Sequence, residues 1–293
     1  MLPERPGAGQ RVTDVWRRHD PAVAAIPLVL DSPHSGESYP ADFDHLPPRA
    51  VVRRAEDTHV ARLWSRASGV GASMLEAEFP RAYCDPNRSL ADIDPALLAD
   101  AWHEPLVPTR KTEQGIGLVW RLARGGAPLY ARKLTAAEIR ARIEHYYLPY
   151  HAALAALLDA RHAAFGAVWH IDCHSMPAVG DARADDPGRE RADFVLGDRD
   201  GTTCDAAFTH FVEGAIRQLG YSVAVNDPYK GVEIVRRYGR PAERRHSLQI
   251  EIKRTLYMDE ATLAPNAGYA KLEADLRTLT RALADYVGSQ TDN

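Results

Sequence analysis

Two short apolar runs constrain this chain more than any other feature. Ile26-Pro-Leu-Val-Leu-Asp31 leads straight into Ser32-Pro33-His34-Ser35-Gly36, and Ala167-Val-Trp-His-Ile-Asp-Cys-His-Ser175 follows directly on Gly166. Each reads as a buried strand whose carboxyl end delivers a histidine into a polar turn. Between and after them, short β-like runs at 73–77, 221–226 and 248–252 alternate with stretches of helical spacing. These include 58–68, with Gly69 and Gly71 as stops, and the series Ile139, Ile143, Tyr147, Tyr150, Leu154, Leu157. Thr135-Ala-Ala-Glu138 is a capping box that opens this second helix, and Pro149 is expected to kink it. Phe208, Val212, Ile216 and Leu219 mark a helix stopped by Gly220, and Leu272, Leu276, Leu279 and Leu283 a last amphipathic one. The alternation predicts one α/β domain spanning residues 1–293, with a mainly parallel sheet covered by helices. Ligands of such sheets lie at the carboxyl ends of the strands, where His34, the Asp172–Ser175 group and Glu251 fall.

Composition narrows the activity. With 36 Lys plus Arg against 40 Asp plus Glu, the net charge is −4, which argues against nucleic-acid binding as the main activity. An acidic ligand must then be held by a few placed cations. The opening MLPERPGAGQRV has no basic run followed by an apolar core, and no apolar segment is long enough to span a bilayer, so a cytoplasmic protein is expected. The three cysteines, Cys84, Cys173 and Cys204, form no C-x-x-C pair, which excludes a disulfide framework and a cysteine zinc site. The P-loop, the G-x-S-x-G elbow, H-E-x-x-H and a dinucleotide fingerprint are all missing.

What remains is a set of residues suited to a metal. A catalytic zinc takes two or three neutral imidazoles and a carboxylate and keeps one position open. His34 and His174 are the imidazoles, and Asp172 lies on the same face of its strand as His174. The acid is either Glu37, which completes His34-x-x-Glu37, or the Glu56-Asp57 pair, and composition does not choose between them. Arg81, Asn87 and Arg88 gather guanidiniums and an amide in one short loop, matched to a carboxylate or an oxyanion. The segment 229–238 reads as a further basic loop. Glu251 lies opposite Ile250 and Ile252 on an otherwise apolar strand, and a buried carboxylate is unfavourable unless paired or functional. The polar stretch Gly180–Asp193 reads as a surface loop.

Taken in order, SPHSGESYP, AEDTHVARLW, FPRAYCDPNR, WHIDCHSMP, DFVLGDRDG, NDPYKGVEIVRRYG and HSLQIEIKRTLYMDE closely resemble the N-formylglutamate amidohydrolase family, over roughly residues 27–260. The resemblance implies a mixed, largely parallel sheet flanked by helices, akin to zinc carboxypeptidases. It implies one Zn2+ per chain and hydrolysis of N-formyl-L-glutamate to formate and L-glutamate, the last step of a route of histidine degradation. Carried over by position, His34, Asp57 and His174 become the metal ligands, His59 an accessory residue and Glu251 the general base. Arg81 would polarise the scissile carbonyl, Asn87 and Arg88 would bind a substrate carboxylate, and Arg236 would be a second clamp. The implied partner is a small N-acyl amino acid, with neither nucleic acid nor membrane. The alternatives are a zinc deacylase for another N-acyl amino acid and a metal-free binding protein of the same fold.

Overall fold

The computed structural model describes residues 10–12 and 15–291. Eight strands form one sheet: β1 (Gln10–Val12), β2 (Trp16–His19), β3 (Leu28–Ser32), β4 (Ser73–Ala77), β5 (Val168–Met176), β6 (Phe194–Gly197), β7 (Val223–Val225) and β8 (Arg245–Lys253). Their order is β1-β2-β4-β3-β5-β8-β6-β7. The four central strands β4, β3, β5 and β8 run parallel, as does the pair β6–β7. Antiparallel pairings join β1, β2 and β4 on one side and β6 to β8 on the other. The architecture is therefore the mixed, largely parallel α/β sheet expected.

Helices α1 (Arg49–Val52), α2 (Val60–Trp64), α3 (Arg110–Glu113), α4 (Ala136–Arg142), α5 (Leu148–Phe165), α6 (Ala206–Gln218), α7 (Glu233–Tyr238) and α8 (Tyr269–Ser289) flank the sheet. One face packs Leu28, Leu30, Met74, Ile171, Leu248 and Ile250 against Trp64 and the apolar stripes of α6 and α8. The other packs Val29, Leu75 and Val168 against Trp120, Tyr147, Tyr150 and Leu154. Parallel strands covered on both sides usually read as unbroken apolar runs. Here one face of three neighbouring strands is polar along much of its length. Asp31 on β3, His170, Asp172 and His174 on β5, and Ser247, Gln249 and Glu251 on β8 are all buried. The period-2 pleat sends them to the side opposite Leu30, Ile171 and Ile250.

Local expectations hold with instructive exceptions. The capping box is present, with Thr135 accepting from the Glu138 amide and Glu138 reaching back to the Thr135 amide. The helix it opens is interrupted by a π-helical turn at Ile143–Tyr147, and Pro149 falls in the first turn of the next segment, α5. The backbone stays helical through this junction, with Tyr147 at φ −66° and ψ −54°, so the proline lies in a continuous helix just after the π turn. Gly71, not Gly69, ends the 58–70 stretch, with φ of 91° at Gly71 after a 3-10 turn. The segment 229–238, read as a basic loop, is half helix: α7 occupies Glu233–Tyr238.

Candidate metal centre and active site

The turn after β3, the turn before α2 and the end of β5 bring three donors together. His34 leaves β3 in a loop that lies directly on the Glu78–Phe79 backbone, where a Cβ on Gly36 would overlap Phe79 O. The Asp57 amide donates to His34 O at 2.9 Å, which ties the second segment to the first. His34 Nδ1 then lies 3.3 Å from Asp57 Oδ2, and His174 Nδ1 lies 3.1 Å from the same oxygen. The three residues are buried, and one donor atom from each falls within 4.8 Å of the others.

The far nitrogens carry carboxylates of their own. His34 Nε2 meets Asp85 Oδ1 at 2.7 Å, and His174 Nε2 meets Asp172 Oδ1 at 2.6 Å. At His34, a proton given from Nε2 to Asp85 leaves a lone pair at Nδ1. At His174, Nε2 sits between Asp172 Oδ1 and the Asn87 Nδ2 amide, at 2.6 and 3.2 Å, while Nδ1 faces Asp57. His34 Nδ1, His174 Nδ1 and Asp57 Oδ2 thus face one another in a buried space, where a proton or a cation satisfies them. Carboxylates behind metal-binding histidines orient the rings and strengthen the ligands. The electrostatics agree. Burial works to discharge His174, but Asp172 and Asp57 outweigh it and hold the imidazole well above its ordinary pKa. Asp57 is kept well below the usual carboxylate range because its histidine contacts outweigh burial, and Asp85 likewise because Arg81 and His34 do. Surroundings that draw a proton this strongly also draw a divalent ion. Asp57 Oδ1 is fixed in turn by Arg254 Nη2 at 3.0 Å and Ser175 Oγ at 3.2 Å.

Glu251 pairs in register with His174 across β5 and β8 and accepts from Gln249 Nε2 at 2.9 Å. Its burial raises its pKa above the ordinary glutamate value. His34, His174 and Glu251 line one cavity together with Arg81, Asn87, Arg88, Lys111, Arg124, Arg191 and Tyr229. Arg81 is anchored by Nε and Nη2 on Asp85 Oδ2, at 3.1 and 2.9 Å, which leaves Nη1. Arg88 donates to Ile116 O and Asn87 O. Asn87 lines the cavity, but its amide is occupied. Oδ1 accepts from the Ile234 amide at 2.8 Å, while Nδ2 lies 3.2 Å from His174 Nε2 and 3.4 Å from Asp172 Oδ2.

Three sequence candidates stand elsewhere. Glu37 is 48% exposed and pairs with Arg53, so the H-x-x-E spacing does not bring its acid to His34. His59 has a left-handed backbone, with φ of 71°, and its Nε2 contacts Leu263 O. Arg236 is 55% exposed, pairs with Glu233 on α7 and lies outside the cavity lining. The cations that sequence reasoning did not single out are Lys111, Arg124, Arg191 and Arg254. Part of the Gly180–Asp193 stretch also lines the cavity, through Asp181, Arg183, Ala184 and Arg191.

Comparison with known proteins matches residues 26–258 to the family described as N-formylglutamate amidohydrolase. The chain belongs to that family. Among N-formylglutamate amidohydrolases it is 50% identical to the protein from Ralstonia eutropha JMP134, whose crystal structure superposes with a TM-score of 0.91 over 94% of this chain and 99% of the other. It is 32% identical over 268 residues to the N-formylglutamate deformylase of Pseudomonas aeruginosa, covering 89% of this chain and 92% of that one. The N-formylglutamate deformylase of Pseudomonas putida is also 32% identical, over 243 residues. No helix among the described residues is long and apolar enough to cross a membrane.

Proposed function

We propose that this chain, acting as one domain, is a zinc-dependent amidohydrolase that converts N-formyl-L-glutamate to formate and L-glutamate. The carrying observation is the convergence of His34 Nδ1, His174 Nδ1 and Asp57 Oδ2 beside a cavity that both histidines line together with Glu251 and several cations. Two imidazoles and a carboxylate are a donor set typical of catalytic zinc. A divalent ion held there would supply Lewis-acid polarisation of the formyl oxygen and acidify a water.

The chain's own groups do the rest. Glu251, its pKa raised by burial, takes the proton of the water that attacks the formyl carbon, and returns it to the nitrogen as the C–N bond breaks. Arg81, anchored on Asp85, turns its remaining Nη1 toward the carbonyl oxygen, where negative charge develops. Arg88 binds the substrate's α-carboxylate. Asn87 acts on the Asp172–His174 pair rather than on the substrate, and Arg236 has no part in the reading. The formyl group offers little surface, so the two carboxylates supply most of the binding energy. The sequence resemblance implies histidine degradation and hence a cytoplasmic setting, with which three buried free cysteines are compatible.

The test is formate release from N-formyl-L-glutamate by purified protein, before and after chelation and after zinc is restored. Release that is lost on chelation and recovered with zinc supports the proposal. No release from a zinc-loaded sample would move the substrate to another N-acyl amino acid.

A further inference from the structure

Arg124 differs from Arg81, Arg88 and Arg191, which line the same cavity and are held by hydrogen bonds, from Arg183, which lines it but is exposed, and from the neighbouring Arg254. Arg81 and Arg254 each donate to a carboxylate, and Arg88 to two carbonyls. Arg191 is bidentate on Asp186 at 2.8 and 2.7 Å and also donates to Pro177 O. Arg124 Nε, by contrast, is buried with no hydrogen-bond partner among the described residues. Its one ion pair among them is a loose one, Nη1 to Asp181 Oδ2 at 3.9 Å. Burial and the neighbouring charges of Arg254 and Arg81 pull its pKa down to about 10. A buried guanidinium donor without an acceptor is unfavourable, and a ligand oxyanion removes the penalty.

The backbone holds Arg124 in this position. The chain turns tightly between Leu122 and Pro128, with Ala123 N donating to Ala127 O at 2.8 Å and Gly126 N to Ala123 O at 2.9 Å. Gly125 and Gly126 take φ of 89° and 88°, a left-handed backbone that side chains disfavour. A Cβ on Gly126 would also overlap the Arg183 guanidinium, which reaches over from the facing loop. Arg124 is 30% exposed, and it lines the cavity that contains His34, His174 and Glu251.

We infer that Arg124 is the specificity-determining residue that binds the side-chain carboxylate of an acidic N-acyl amino acid. This rests on the proposed reaction, in which Arg88, on the loop of Asp85, takes the α-carboxylate. The side-chain carboxylate then falls to a cation carried by a separate segment. Arg124 offers a planar fork with its Nε donor still free, which matches a carboxylate in a way the Lys111 ammonium does not.

The experiment compares N-formyl-L-glutamate, N-formyl-L-glutamine and N-formyl-L-isoglutamine with wild type, Arg124→Gln and Arg124→Lys, all zinc-loaded and checked for equal thermal unfolding. Arg124→Gln should lower kcat/KM for N-formyl-L-glutamate roughly 100-fold, mainly through KM, while N-formyl-L-glutamine changes less than about threefold. Arg124→Lys should recover part of the loss. An equal fall for both substrates, no fall, or a lost preference against the α-amide instead would each overturn the assignment. Calorimetric binding of L-glutamate and L-glutamine gives a readout that needs no turnover. If wild type releases no formate, the proposed reaction fails, yet an Arg124-dependent preference for L-glutamate upholds this inference. Equal or absent binding of the two amino acids by wild type would overturn it.

Discussion

The site turns on which nitrogen each histidine shows to Asp57. Both use Nδ1, because Asp85 and Asp172 occupy Nε2. Removing a ligand and removing the base should therefore separate cleanly. His174→Ala takes away one of three donors and should abolish stable zinc binding, read by metal analysis after gel filtration; full occupancy would refute the ligand assignment. Glu251→Gln keeps shape and ligands, so it should retain the metal while turnover falls by about 10²–10⁴. Near-normal formate release would refute its role as base. Asp85→Asn withdraws the charge behind His34 and should weaken metal affinity by roughly 10- to 100-fold, measured by chelator competition. The histidines and Glu251 were legible because strand ends and a period of two leave a trace in sequence. Asp57 came from the resemblance, since spacing alone left Glu37 equally open. The partners Asp85 and Arg254 were not legible in these roles, because they meet His34 and Asp57 across separations of 51 and 197 residues. Arg236 has a local partner that the sequence spacing did offer: Glu233, three residues away on the same helix, pairs with it.

Elements were readable where they were long or capped. β4 occupies the run 73–77 as expected, and β5 and α5 lie within a residue or two of the ends set by Gly166. β2 was missed because its sequence, Trp16-Arg-Arg-His19, carries no apolar alternation, and β6 because Phe194–Gly197 is only four residues. The π-turn left no signature either, yet the turn itself and the helix that follows it support the site from beneath. Tyr147 OH donates to Arg88 O at 2.9 Å and Tyr150 OH to Asp31 Oδ2 at 2.7 Å. The start of this helical unit is a place to separate stability from chemistry. Thr135→Ala removes a cap from α4, whose residues lie outside the cavity lining, and should destabilise the fold by about 1 kcal/mol in urea unfolding with kcat and KM unchanged. A large change in KM would mean that this helix start couples to the cavity.

At the scale of the whole molecule, the sheet gathers acids that a fold seldom buries together. Asp31, Asp57, Asp85, Asp172 and Glu251 are each at most 8% exposed, near the carboxyl ends of three adjacent strands. Arginines 81, 88 and 254 offset part of that charge, and burial leaves its mark on the remainder, with Asp172 pushed up to about 6. A divalent ion at His34, Asp57 and His174 would add two positive charges where the acids converge, so metal binding and folding stability should be linked. A ligand that binds only the folded state at a thousand times its Kd stabilises by about 4 kcal/mol. For a chain of this length that corresponds to roughly 7 °C in Tm, from the usual entropy of unfolding per residue. Chelation should therefore lower Tm by several degrees and added zinc should restore it, in scans with no substrate present. His174→Ala should unfold at one temperature with or without zinc. The same zinc-dependent rise in that variant would place the ion elsewhere, and no rise in wild type would detach the acid cluster from metal binding.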